Sequence, residues 1–60
     1  MKGQIVLTEF GGGLKVAFRI AAIAAYKEND EGVMIYTNDG RSWHMSESFY
    51  DVCDLVKRMQ

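Results

Sequence analysis

The sequence predicts an α+β domain: a small antiparallel sheet of four to five strands, joined as meander-like hairpins, with one C-terminal amphipathic helix packed on one face. Short runs rich in β-forming residues are separated by turn residues. The clearest is Asn-Asp-Gly at 38–40, whose residues tolerate the positive φ of hairpin turns. Apolar and polar residues alternate within those runs, as they do in strands. The C-terminal segment instead repeats its apolar residues at helical spacing.

The strands are expected, in chain order, at residues 4–10, 14–18, 23–28, 33–37 and 41–45. The glycines at 11–13 predict a hairpin between the first two strands, because glycine reaches positive φ without steric cost. The alanine-rich residues 19–26 fit a helix or a strand. No N-cap residue precedes them, so we expect a turn at 19–22 and then the third strand.

The C-terminal helix is expected to begin after Ser46 or Ser48, since serine is a favoured N-cap residue. Ser48 and Asp51 resemble a capping box, with aspartate in place of the usual glutamate. The residues on its apolar stripe are Phe49, Val52, Cys53, Val56 and Met59. Such a stripe predicts packing on one face of the sheet.

Length and composition predict a single domain, residues 1–60, that associates with another chain. A domain of this size buries only about 60% of the surface that its unfolded chain exposes. One cysteine excludes an intrachain disulfide, and one cysteine with one histidine does not form a visible metal-binding cluster, so we expect no metal and no cofactor. A homo-oligomer, or an obligate complex with a partner, is the remaining expectation. The net charge of -1 predicts no binding of extended nucleic acid.

The N-terminus lacks the pattern of a signal peptide, and the longest apolar run is too short to span a membrane, which needs about 20 residues. We therefore expect a cytoplasmic protein without a membrane partner, in which Cys53 is a free thiol.

Both faces of the predicted sheet carry large apolar groups. In the first strand Ile5 and Leu7 point one way, and Val6 and Phe10 the other. One face receives the helix. The other is expected to be an interface, and the alternative is that long side chains simply lie over a small sheet.

No catalytic signature is present, and we expect the protein not to be an enzyme. Cys53 lies on the predicted helix stripe, which argues against a pair with His44, the single histidine. The candidate residues for binding a ligand or a partner are aromatic or basic: Lys15, Arg19, Tyr26, Tyr36, Arg41, Trp43 and His44. Two interpretations stay open. The aromatic residues form core and protomer contacts, which we favour, or they stack on a small nucleotide whose phosphates the basic residues contact.

From Ile20 onward the pattern resembles the small flagellar FlbD family, and also short phage and prophage proteins. The matching features are an isoleucine pair, a short strand, an Asn-Gly-type turn followed by a basic residue, and Glu47-Ser48 leading into an amphipathic helix. The resemblance implies no catalytic residues. We expect a small non-enzymatic binding module, a phage-encoded regulator or inhibitor that occupies a host protein or a small signalling nucleotide. The alternative is a FlbD-type flagellar accessory protein.

Overall fold

Tight turns divide the chain into short antiparallel strands that are followed by one helix. The computed structural model of the protein describes residues 3–59. The elements in that range are β1 (Gln4–Thr8), β2 (Lys15–Arg19), a 3-10 helix (Ile20–Ala22), β3 (Ile23–Asn29), β4 (Gly32–Thr37), β5 (Ser42–Met45) and α1 (Phe49–Met59). The predicted α+β class and C-terminal helix are confirmed.

The strands form two antiparallel sheets, so the prediction of four to five strands in one sheet is not confirmed. β1 pairs with β2, while β3, β4 and β5 pair in that order. An isolated bridge between Glu9 and Met45 joins the two sheets. Next to it, the backbone N–H of Phe10 donates to the carbonyl oxygen of His44 at 3.0 Å. β1 ends at Thr8 rather than at the predicted Phe10, and its continuation meets β5 too briefly to form a regular ladder.

The ambiguous alanine-rich segment forms a turn and then a strand, as expected. Hydrogen bonds to the backbone hold the 3-10 helix at both of its ends. At its start, the N–H of Ile20 donates to the carbonyl oxygen of Gly3 at 3.1 Å. The side-chain amide of Asn38 donates to the carbonyl oxygen of Ala21, and its backbone N–H to that of Ala22, both at 2.9 Å. The turn between β4 and β5 therefore fixes the start of β3.

The core lies between the two sheets and α1. Its fully or almost fully buried residues are Ile5, Leu7, Phe18, Val33, Ile35, Met45 and Val52. The strand members alternate with more exposed residues, as the period-two pattern predicts.

The start of α1 agrees with the predicted cap, since the Oγ of Ser48 accepts the backbone N–H of Asp51 at 3.1 Å. Val52 is buried, and Leu55, which is not on the predicted stripe, packs against the core. The prediction is wrong for Met59, which is 44% exposed. The last turn of α1 reaches Gly3, which has no side chain to cover a methionine. No helix within residues 3–59 has the length and apolar character needed to cross a membrane.

Candidate functional site

Cross-strand pairing sorts the strand residues onto two faces. The inner face carries the buried strand residues of the core, and the outer face carries the residues that alternate with them. On the outer face, Lys27 lies opposite Met34 and Met34 lies opposite His44, which makes one transverse row. Phe10 extends that row, because its ring stacks on His44 with a centroid distance of 4.3 Å and 13° between the planes. This row is the centre of the candidate site.

Two of the predicted site residues, Tyr26 and Trp43, belong to the inner face. Trp43 meets Phe18 edge-on with a centroid distance of 5.4 Å, and Tyr26 lies 5.5 Å from the ring of Phe49. Burial, and then a hydrogen bond with the thiol of Cys53, raise the pKa of Tyr26 above its ordinary value. Both aromatic residues pack against the core, so the structure separates them from the outer face.

Arg41 lies in the turn between β4 and β5 and is engaged locally. Its Nε is 3.5 Å from Oδ2 of Asp39, and both side chains are largely exposed. The hydroxyl of Thr37 donates to Oδ1 of Asp39 at 2.5 Å, and the indole N–H of Trp43 donates to the same hydroxyl oxygen at 3.3 Å. The hydrogen bond from Thr37, and then that from the backbone N–H of Arg41, lower the pKa of Asp39 below its ordinary value. The predicted hairpin turn is therefore held by a side-chain network.

The Asp39 contacts predict a pH-dependent contribution to stability. A carboxyl group whose pKa is lowered by folding stabilises the folded state above its unfolded pKa, and this contribution is lost as the pH falls through the lowered value. We expect wild type to have a higher urea midpoint than Asp39→Asn at neutral pH, and this difference to shrink towards zero in strong acid. Urea titrations of both proteins across the acid range measure it. A difference that does not change with pH would contradict the assignment.

The outer face holds the other predicted residues. Lys15 donates from Nζ to Oγ1 of Thr8 at 2.8 Å, so it lies along β1. Arg19 is exposed opposite Gln4, and Tyr36 lies opposite Ser42. Lys15 and Arg19 thus lie on the outer face of the sheet formed by β1 and β2, and Tyr36 and His44 lie on the outer face of the sheet formed by β3, β4 and β5.

Two further outer-face residues, Phe10 and Lys27, were missed by the sequence interpretation. Phe10 lies four residues after Val6 and therefore points to the same face, and Lys27 follows the half-buried Tyr26 and therefore points to the opposite face. Counting alternate residues along the strands could thus have identified both. The stack of Phe10 on His44 could not be found that way, because it depends on the long-range meeting of β1 with β5.

His44 is half-buried, and its Nε2 is buried without a hydrogen-bond partner. An unpaired buried polar atom costs about 1–3 kcal/mol. Cys53 contacts Tyr26 on the other side of the sheet, so no Cys–His pair forms. Among residues 3–59, no group of three or more His, Cys, Asp or Glu side chains is arranged to hold a metal ion.

A second feature lies beside β3, where a cleft of about 230 Å³ separates the strand from α1. Its lining residues are Ile20, Ile23, Ala24, Ala25, Tyr26 and Val56. Within the part of the chain that the structure describes, β3 pairs with β4 alone, so its other edge is free. The cleft and the free edge are adjacent.

Comparison with known proteins adds no relative. No protein-family model matches the chain, and no curated protein or solved structure matches it either.

Proposed function

We propose that the protein is a small non-enzymatic binding module that self-associates through the free edge of β3 and acts by occupying a partner. The observation that carries the proposal is that edge and the cleft beside it. β3 has seven residues and one paired side. An unpaired edge presents a row of backbone donors and acceptors, which is a template for another strand. Ala24 and Ala25 are exposed there, so the first half of the edge, before the exposed Lys27 and Glu28, carries no charged side chain.

A second copy of the chain fits this edge better than a small ligand does. Ligand pockets commonly measure about 300–1,000 Å³. The cleft, at about 230 Å³, is smaller than that and has room for one or two side chains. Two β3 strands paired antiparallel about a two-fold axis present the same surface to each other, which is the commonest arrangement of homodimers. The small core gives such an association a thermodynamic reason, since domains of this length often need a further source of stability.

A charge placed on the edge tests this proposal. We expect Ala24→Lys to make the protein monomeric at concentrations where wild type is a dimer, because a lysine in the cleft repels its counterpart and must be desolvated. Sedimentation equilibrium measures the mass.

Ala17→Lys is the matched control, since Ala17 is also an exposed alanine within a strand but lies on β2. The control should retain the wild-type mass, and circular dichroism should show the same fold for all three proteins. A folded wild-type monomer at high concentration, or equal masses for the two variants, would refute the assignment of the interface.

The alternative proposal, a flagellar accessory protein of the FlbD type, is supported by the resemblance alone. Asn38 and Ser48, which carry part of that resemblance, hold a turn and a helix start. Such residues are compatible with many functions. Flagellar genes beside the coding sequence would favour this alternative, whereas phage genes would favour an inhibitor or regulator that occupies a host target.

A further inference from the structure

The second strand has a free edge of its own. Within residues 3–59, β2 pairs with β1 alone. Two backbone hydrogen bonds frame this ladder. At one end the N–H of Glu9 donates to the carbonyl oxygen of Leu14 at 2.8 Å, and at the other end that of Ile20 donates to Gly3. Bonded and non-bonded pairs alternate along an antiparallel ladder, and counting inwards from either end gives the same assignment. The non-bonded pairs are Gln4–Arg19, Val6–Ala17 and Thr8–Lys15.

In these three pairs the backbone groups point away from the opposite strand. Thr8 shows this directly, because its N–H donates to Glu47 and its carbonyl oxygen accepts the N–H of Ser46, which follows β5. By the same alternation, the N–H and C=O groups of the three β2 residues in these pairs are directed at the free edge. Such a row of donors and acceptors can pair with one more strand, and the main-chain hydrogen bonds then supply affinity.

The side chains beside this edge are basic or apolar. Lys15, Ala17 and Arg19, whose backbone groups face the edge, are the exposed residues of β2, whereas the residues that alternate with them pack towards the core. β1 and β2 contain no acidic residue. Val6 lies opposite Ala17 and is 53% exposed, and the small side chain of Ala17 leaves room beside it. A strand added to β2 would therefore meet a cation, an apolar position and a second cation at alternate residues.

This charge pattern argues against a second copy of β2 as the occupant. Full antiparallel overlap of two β2 strands about Ala17 would put Lys15 of each copy opposite Arg19 of the other. Like charges directly opposite each other destabilise a strand pair, whereas opposite charges stabilise it. The edge of β2 thus disfavours pairing with itself and is complementary to a strand that carries acidic residues at these two positions.

We infer that the free edge of β2 binds an extended acidic segment of another protein as an additional antiparallel strand. Its acidic residues lie opposite Lys15 and Arg19, and an apolar residue between them lies over Ala17 and reaches towards Val6. The segment therefore has the pattern acidic-x-apolar-x-acidic. This inference rests on the proposed function, since it names the partner that the binding module occupies. It uses a different edge from that of β3, so both edges can be engaged in one assembly.

A synthetic peptide tests the charge preference. The probe is a nine-residue peptide with blocked termini that has glutamate at its third and seventh positions, leucine at its fifth and threonine elsewhere. We expect it to bind the full chain about tenfold or more tightly than the same peptide with lysine in place of glutamate. Fluorescence anisotropy of labelled peptides measures both affinities, and the affinity for the glutamate peptide should fall as salt rises. Equal affinities, or no binding of the glutamate peptide, would overturn the inference. Tighter binding of an oligothymidine would also overturn it, because the cations would then select phosphate.

Methylation of the peptide backbone tests strand addition. In the antiparallel arrangement the N–H of the leucine donates to the carbonyl oxygen of Ala17, whereas the N–H of the adjacent threonine points to solvent. An N-methyl group on the leucine should therefore weaken binding about tenfold or more, and one on that threonine should change it little. Equal losses, or a larger loss from the threonine, would contradict the antiparallel pairing.

Variants of the protein locate the edge. Lys15→Gln combined with Arg19→Gln should weaken binding of the glutamate peptide about fivefold or more and flatten its salt dependence. The matched control, Lys57→Gln with Arg58→Gln, removes the same charge from the last turn of α1 and should leave binding unchanged. Equal effects of the two double variants would refute the location.

Sedimentation of the same samples separates this inference from the proposed self-association. A dimer that does not bind the glutamate peptide refutes the β2 partner alone, whereas a monomer that binds it refutes the β3 interface alone.

Discussion

Replacing Gly32 by alanine is expected to unfold the protein. Gly32 has φ of +140°, a conformation that side-chain-bearing residues rarely adopt, and a β-carbon there would overlap the backbone carbonyl oxygen of Met45. Strained conformations of this kind cost about 1–3 kcal/mol before any steric overlap is added. A core of this size rarely supplies more than about 3–5 kcal/mol in total. Urea titration, followed by circular dichroism, should show no folded baseline for Gly32→Ala.

Gly40→Ala is the matched control. Gly40 also has a positive φ, of +89°, but nothing lies within 4 Å of the position that its β-carbon would occupy. We expect it to lose only the conformational term, about 1–2 kcal/mol, and to stay folded. If the two alanine variants had the same urea midpoint, the conclusion that the end of β5 approaches Gly32 closely would be wrong.

The features that sequence predicted correctly are local ones. The turn at residues 38–40, the Ser48 cap and the shared face of Ile5 and Leu7 each depend on a few neighbouring residues. Turn chemistry, capping and period-two alternation act over such distances. The extent of β1 was less predictable, because Phe10 has strand-forming character but lies where the chain has already begun to turn.

The arrangement of the candidate site depended on contacts between distant residues. For Tyr26 and Trp43 the sequence favoured core or protomer contacts but left a ligand contact open, and the packing of Phe49 and Phe18 against them shows that they belong to the core side. The opposite is true of Phe10, whose meeting with His44 requires the bridge between the two sheets. Register between strands that are far apart in sequence is set by the whole fold, so a local pattern does not determine it.

Glu47→Ala is expected to destabilise the protein by about 2 kcal/mol, since hydrogen bonds to charged groups contribute roughly 1.5–3 kcal/mol. The carboxylate of Glu47 accepts the backbone N–H of Thr8 with Oε1 at 2.8 Å and Oε2 at 2.9 Å. The backbone N–H of Ser46 donates to the carbonyl oxygen of Thr8 at 2.8 Å. Residues 46 and 47 therefore complete the hydrogen bonding of the last residue of β1 just before α1 begins. Without the carboxylate, the half-buried amide of Thr8 has no partner.

The size of the effect distinguishes this role from that of an ordinary surface charge. Glu47→Gln retains an accepting oxygen without the charge, so its loss of stability should lie between those of wild type and Glu47→Ala. Glu31→Ala removes a carboxylate from an exposed turn and should change stability by no more than about 0.5 kcal/mol. Urea midpoints should thus follow the order Glu31→Ala, Glu47→Gln, Glu47→Ala, from highest to lowest. Equal midpoints for the two alanine variants would show that Glu47 does not join β1 to the start of α1. The Glu47-Ser48 pair would then have a role other than linking the strand to the helix.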